Sequence, residues 1–150
     1  MTKLAHLLPG DWDVYEPDGL VPSVAPRRYH FKAEGSWQES YPGLIQGLRQ
    51  LRVIAGYRTV GTWILEQHPR GIVVVLRETD NDQGIRPQLA KQSPLAAADL
   101  ALERLAYSAG LIPKEYREFL VLSSDQNTIT VSVLTDGSDT TQQEIWWRCG

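Results

Sequence analysis

A mainly β chain, folded as an antiparallel barrel with one inserted α-helix at about residues 94–109, is the architecture this sequence predicts. Three observations carry the prediction. Short runs that alternate apolar with polar residues recur from residue 10 to residue 147, the period of a half-buried strand. Tight turn sequences ("EG", "HPRG", "DQN", "TDGSD") separate successive runs and favour antiparallel neighbours. Only one segment carries a full set of helix signals. Strands joined in this way form a meander, and a meander with many aromatics and one external helix favours barrel closure.

The elements follow in order. "LPGDWDVYEP" opens on a Pro-Gly break, then sets Trp12 and Val14 against Asp11, Asp13 and Tyr15, which reads as a first strand. "EPDGLVPSVAP" holds three prolines and a glycine, so a loop or irregular edge follows. "RRYHFKA" and "SWQESY" flank the turn "EG" as a hairpin, with Tyr29, Phe31 and Ala33 on one face and Arg28, His30 and Lys32 on the other. In "PGLIQGLRQLRV", Leu44, Leu48 and Leu51 have helical spacing while Gly43 and Gly47 weaken a helix, so a short helical turn or an irregular entry is expected. "GYRTVGTWILEQ" and "IVVVLRET" form the firmest hairpin, rich in β-branched and aromatic residues and punctuated by Pro69 and Gly71.

The helix has a capping candidate in Ser93, a first-position proline in Pro94 and a C-terminal Gly110. Leu95, Ala98, Leu102, Leu105 and Ala109 make an apolar stripe along it, expected to pack into the core in preference to a partner's groove. Pro113 prevents an easy restart. Three strands then follow: "EFLVLSS", "TITVSVL" and "TTQQEIWW".

Composition bounds the function. The 150 residues are expected to form one domain, 1–150, long enough to bury roughly two thirds of the surface of its unfolded chain. Hydrophobic residues make up 42% and charged residues 22%, a globular balance. The net charge is −3 and no run of Lys or Arg exceeds two, so a nucleic-acid partner is not expected. The longest apolar run, "GIVVVL", is strand-sized, and "MTKLAHLLPGDW" lacks the pattern of a secretory signal. Neither a membrane span nor export is therefore expected, and the location implied is cytoplasmic. The one cysteine, Cys149, excludes an intramolecular disulfide framework and any multi-cysteine metal site. Five tryptophans are the unusual count, and they suit a core or a ligand cavity.

The ends of the chain carry a resemblance. "GDW" near the start and "EIWWR" at the end resemble lipocalin-like (calycin) barrels, in which a Gly-x-Trp of the first strand packs beneath a basic residue of the last. Gly10, Trp12 and Arg148 would take those parts and close the barrel. A guanidinium stacked on indole covers ring area while its charge stays hydrated at the rim. A narrower resemblance covers roughly residues 56–147: the order "GYRTVGTW…HPRGIVVVLRETDNDQG…FLVLSSDQNTITVSVLTDGSDTTQQEIWW" is similar to the S-type phycobiliprotein lyases. Glu144-Ile145-Trp146-Trp147 resembles that family's Glu-x-(Ile/Leu)-Trp-Phe. The chain departs from the family after the first tryptophan, where "DVYEPDG" replaces an Arg-Thr pair. The resemblance implies a protein that binds a bilin, an open-chain tetrapyrrole, and delivers it to a cysteine of an acceptor such as a phycobiliprotein subunit.

Catalytic signatures are absent: there is no HExxH, phosphate-cradling glycine loop or nucleophile elbow. His6, His30 and His68 are scattered, so surface positions are expected in place of a metal site. A penultimate thiol with no histidine close in sequence marks Cys149 as incidental and dispensable. The last strand is the better candidate. Either Glu144, Trp146 and Arg148 face inward, or that face meets water with Ile145 and Trp147 inside. In the inward case Arg58 and Arg148 hold ligand carboxylates, Trp63 or Trp146 stacks on a conjugated ring, and Glu144 shares their face. The candidate ligand-binding set is therefore Arg58, Trp63, Glu144 and Trp146, with no cofactor beyond a bilin-like ligand and no metal. Three readings follow: a carrier or chromophore lyase for a small hydrophobic molecule, a non-catalytic assembly factor whose helix or tryptophan-bearing rim binds another protein, and an ordinary hydrolase, which the missing motifs disfavour.

Overall fold

The computed structural model describes residues 2–16, 27–40, 42, 59–79, 84–109, 116–135 and 137–149. The strands are β1 (Gly10–Tyr15), β2 (Arg27–Phe31), β3 (Ser36–Ser40), β4 (Val60–His68), β5 (Gly71–Thr79), β6 (Tyr116–Ser124), β7 (Thr128–Thr135) and β8 (Ser138–Arg148). Helix α1 (Thr2–Leu7) precedes them, and α2 (Ile85–Ala90) and α3 (Pro94–Ser108) lie between β5 and β6. Every strand pairs antiparallel with its sequence neighbour, and β8 returns to β1, closing the barrel. The chain is thus mainly β, with the long helix inserted between strands.

The alternation of each strand decides what the barrel encloses. Trp12, Val14, Tyr29, Phe31, Trp37, Trp63, Val74, Leu76, Phe119, Ile129, Val131 and Trp146 form one buried cluster. On the other face of the sheet, Val73, Val75, Leu120 and Leu134 make a second. The four consecutive buried residues Val73–Leu76 show β5 covered on both faces, which is why "GIVVVL" reads as a continuous apolar run. An eight-stranded barrel has an interior about as wide as its side chains can fill, and here aromatic rings fill it. Trp146 meets Tyr29, Phe31 and Phe119 at centroid separations of 5.4, 5.7 and 5.1 Å.

Tight turns gather at one end, where "EG" joins β2 to β3, Pro69 and Arg70 join β4 to β5, and Asp125 caps the β6–β7 turn through the Asn127 and Thr128 N–H groups. Helix α1 closes this end. Leu4 and Leu8, four apart and so on one helical face, enter the core, and the Trp12 indole donates to the Leu8 carbonyl at 2.8 Å. At the opposite end, the mouth, two residues join β7 to β8 and longer connections join the other strands. Sequence alternation gave no sign of α1, because six residues are too few to show a helical period; nor did it show α2, whose Pro87 looks like a breaker.

Helix α3 begins as expected, with the Ser93 hydroxyl accepting from the Ala96 N–H at 3.4 Å. Its stripe behaves differently from the expectation of core packing. Leu95 is 84% exposed, Leu102 and Leu105 66% each, and Ala98 and Ala109 are exposed too. The helix buries Leu100 instead and packs against α2, to which it is tied by an Arg86–Glu103 ion pair. The face of α3 that carries Leu100, opposite the conspicuous stripe, is the one turned to its own chain. Residues 110–115 and the ambiguous "PGLIQGLRQLRV" segment after Pro42 lie outside the described residues, as does the proposed Gly110 cap.

Candidate functional site

The mouth is lined by charge. Extending the inward alternation of each strand towards this end places Arg27 on β2, Glu39 on β3, Glu78 on β5, Arg117 on β6 and Glu144 on β8 above the aromatic core. Arg117 pairs with Glu39 (Nη1–Oε2 2.7 Å) and, through Nε, with Glu78, and its Nη1 donates to the Tyr29 hydroxyl at 3.4 Å. Arg27 pairs with Glu144, whose other oxygen accepts from the Trp146 indole at 3.1 Å. Both guanidiniums also cover rings, Arg117 over Trp37 at 5.5 Å and Arg27 over Tyr29 at 5.7 Å.

These charges are layered. The Glu39, Glu78 and Glu144 side chains are at most 2% exposed, whereas those of Arg27 and Arg117 are each 27% exposed. A cavity of about 250 Å³ opens above them, lined by Arg27, Arg117, Tyr29, Tyr116, Phe119 and Glu144 among others. The carboxylates form the back of the site and the guanidiniums its accessible face. Burial holds the Glu144 carboxyl above its ordinary range, against the pull of Arg27 and the indole N–H. Burial, then the nearby Glu144 charge, pushes the Tyr29 phenol up, so it remains a neutral hydroxyl. For Arg117 burial opposes the charge, but Tyr29, Glu39 and Glu78 outweigh it and the guanidinium is held more firmly protonated.

At the closed end Arg148 stands over Trp12, Cζ 4.2 Å from the ring centroid. It also donates to three carbonyls: Leu7 (2.6 Å), Gln126 (2.7 Å) and Pro9 (3.3 Å). A methyl group on Gly10 would lie 2.6 Å from Arg148 Nη1, so glycine there permits the close approach.

The expected ligand-binding residues separate in space. Glu144 and Trp146 share the inward face of β8, and Trp147 is 49% exposed on the outer face. Trp146 is wholly enclosed by other rings. Trp63 lies towards the closed end, its indole donating to the Lys32 carbonyl at 2.8 Å and its ring 6.2 Å from Phe31. Arg58 lies outside the described residues. Even-numbered β4 residues Ile64 and Glu66 are exposed. Arg27, Glu39, Glu78 and Arg117 did not stand out in the sequence, yet each sits two residues from an apolar inward position (Tyr29, Trp37, Leu76, Phe119), and carrying the alternation one step further finds all four.

A second polar group lies on the outer wall. Asp11 meets His30 Nδ1 at 2.8 Å, and His30 Nε2 meets the Ser40 hydroxyl at 2.8 Å. The order matches a carboxylate–imidazole–hydroxyl triad. The Asp11 side chain is 54% exposed on an open sheet face, where water competes for the imidazole, so the group serves as a cross-strand clasp over β1, β2 and β3. Cys149 lies nearby, partly buried; burial and then Asp13 raise its thiol pKa, which leaves it a weak nucleophile.

A closed eight-stranded antiparallel barrel of this topology fits a lipocalin-like fold. No protein-family model matches the chain, and no curated protein matches it. Among solved structures, an uncharacterized protein from Bacteroides eggerthii is similar at 12% identity and a TM-score of 0.44, over 94% of this chain and 98% of that one. Among the described residues no helix is long and apolar enough to cross a membrane.

Proposed function

We propose that the barrel binds a small organic anion at its mouth, with Arg27 and Arg117 as the binding cations. One observation carries this: both guanidiniums line the cavity and are partly exposed, while the carboxylates that neutralise them lie behind. Arginine recognises carboxylate through paired N–H donors, and fixed counter-charges hold the fork in place before the ligand arrives. The floor, Tyr29 and Phe119, supports an apolar group next to the acid.

The bilin implied by the sequence resemblance belongs to this class through its propionates. A cavity of about 250 Å³ lies below the range of roughly 300–1,000 Å³ typical for drug-sized ligands, so it suits an acid group and a short stem. A tetrapyrrole would place its rings beyond the mouth, against Tyr116 in preference to the enclosed Trp146. Holding such a ligand for an acceptor thiolate needs no acid–base pair of the protein's own.

Phycocyanobilin and its dimethyl ester, titrated in parallel by absorbance and tryptophan fluorescence, test the proposal. The free acid should bind and the ester should bind at least tenfold more weakly, with Arg27→Gln narrowing the difference. Equal binding of acid and ester, or no binding of the acid, would refute it.

A further inference from the structure

We infer that α3 is a self-association helix, and that a second copy of this chain covers its exposed stripe. Leu95, Ala98, Leu102, Leu105 and Ala109 follow one another at spacings of three, four, three and four, the repeat of a coiled-coil seam, whereas a helix lying on a sheet buries a broader face. All five are exposed, and the Ala109 N–H still donates to the Leu105 carbonyl at 2.9 Å, so the helical path reaches the end of the seam. The opposite face is already in use, with Leu100 buried and Glu103 paired to Arg86. The seam is therefore not the side by which α3 joins its own chain.

The chemistry beside the seam selects the partner. The flanking positions hold Pro94, Ala101 and Ala106, with Asp99 as the one charge among them, so a second helix can approach closely without a row of like charges. An identical helix running antiparallel sets Leu95 of one copy against Leu105 of the other and Ala98 against Leu102. Each of the four resulting layers then contains at least one leucine. A parallel copy would stack Ala98 on Ala98 and leave a thin layer in the middle. A two-fold pair is also the commonest form of self-association. Covering three leucines so exposed, with their alanine neighbours, removes on the order of 1,000 Å² from water across two copies, near the lower bound for a specific interface. The dimer should therefore dissociate on dilution.

Light scattering coupled to size exclusion tests this on the full chain. At tens of micromolar the mass should approach twice 16.9 kDa and should fall on dilution. Leu102→Glu, on the seam, should give a monomer with unchanged near-ultraviolet circular dichroism, which reports the packed tryptophans. Leu122→Glu, at an exposed leucine of the barrel wall, should leave the dimer intact. A wild-type monomer at every concentration would overturn the inference, whatever else covers the stripe. So would a dimer that survives Leu102→Glu. Neither result bears on anion binding at the mouth.

Discussion

Replacing Arg148 with alanine should destabilise the protein by about 3 kcal/mol, and the structure supplies the terms. Stacking over Trp12 at 4.2 Å in a partly buried setting contributes roughly 0.5–2 kcal/mol. The guanidinium also satisfies three carbonyls, two of which, Leu7 and Pro9, belong to the segment that folds α1 over the barrel end. Hydrogen bonds from a charged donor are worth about 1.5–3 kcal/mol each, but water reaches these carbonyls once the side chain is gone, so only a fraction of that gross value is lost. Stacking alone would leave the cost within its own range, and the carbonyls raise it. Arg148→Lys keeps the charge but cannot span three acceptors, so it should recover about half. Urea denaturation followed by tryptophan fluorescence measures the cost, with an unchanged m-value as the check that only stability moved. In thermal melts the same loss corresponds to about 6–12 °C for a chain of this size. The Gly10 contact gives an internal control. Gly10→Ala meets both a positive φ of 135° and the guanidinium, and removing Arg148 relieves only the second, so the two substitutions should not add. An Arg148→Ala cost within 0.5 kcal/mol of zero, or strict additivity with Gly10→Ala, would refute the reasoning.

Arg117→Met should cost about 3–5 kcal/mol, because it leaves Glu39 and Glu78 buried without their shared cation, and changing both to leucine in the same chain should restore most of it in urea melts. Gly61→Ala should cost more than about 3 kcal/mol, since its Cβ would lie 1.7 Å from the Arg77 carbonyl oxygen, whereas Gly137→Ala, with nothing within 4 Å, should cost about 1 kcal/mol for its positive φ alone. The Asp139 carboxyl, held down first by Arg70 and then by Ser132 and the Thr141 N–H, should titrate at about 2 by NMR. Its contribution to stability is fully present above the ordinary value of 3.8 and is lost as pH falls towards 2, and Arg70→Gln should move the titration back up. Glu144 has the opposite sign. Its raised pKa makes its contribution greatest below 4.5 and diminishing as pH rises through the folded-state value, so the pH dependence of wild type minus Glu144→Gln stability should decline from pH 4.5 towards neutrality.

The sequence made the sheet legible because strand alternation is a local signal. Tyr29 and Phe31 facing away from Arg28 and His30, the turn at "HPRG", and three strands after the helix can all be read within ten residues, and each is present in the structure. The orientation of β8 was not local. Ile145–Trp147 is the more apolar pair, yet Glu144 and Trp146 face inward, and what decides is the interior across the barrel, where Arg27 waits for a carboxylate and Phe31 and Phe119 for a ring. Helix α3 misled for a related reason. Its leucine stripe was the stronger pattern, but only the position of α2 shows which face the chain itself buries. Apart from Glu144, which the sequence singles out, the mouth cluster was hidden because an arginine or glutamate near a strand end usually meets water. Arg27, Glu39, Glu78, Arg117 and Glu144, brought together from five strands, become a site only when the barrel closes.

The inward face of β8 ties these features together. Its three alternating residues descend the barrel from mouth to base: Glu144 anchors Arg27 at the mouth, Trp146 occupies the centre of the aromatic core, and Arg148 seals the base over Trp12. The Glu144 carboxylate also accepts from the Trp146 indole, so the central ring is fixed by the same group that orients the mouth arginine. A ligand acid that drew Arg27 away from Glu144 would leave that buried carboxylate with the Trp146 indole N–H and the more distant Arg117 charge, and its already raised pKa would rise further. Anion binding at Arg27 would then be coupled to proton uptake at Glu144. Affinity should therefore increase as pH falls towards the Glu144 value, and Glu144→Gln, which cannot take up a proton, should flatten that dependence while keeping the site. Isothermal titration in two buffers of different ionisation enthalpy measures the protons taken up on binding. Zero uptake by the wild type, or equal uptake by wild type and Glu144→Gln, would break the link between the mouth and the core.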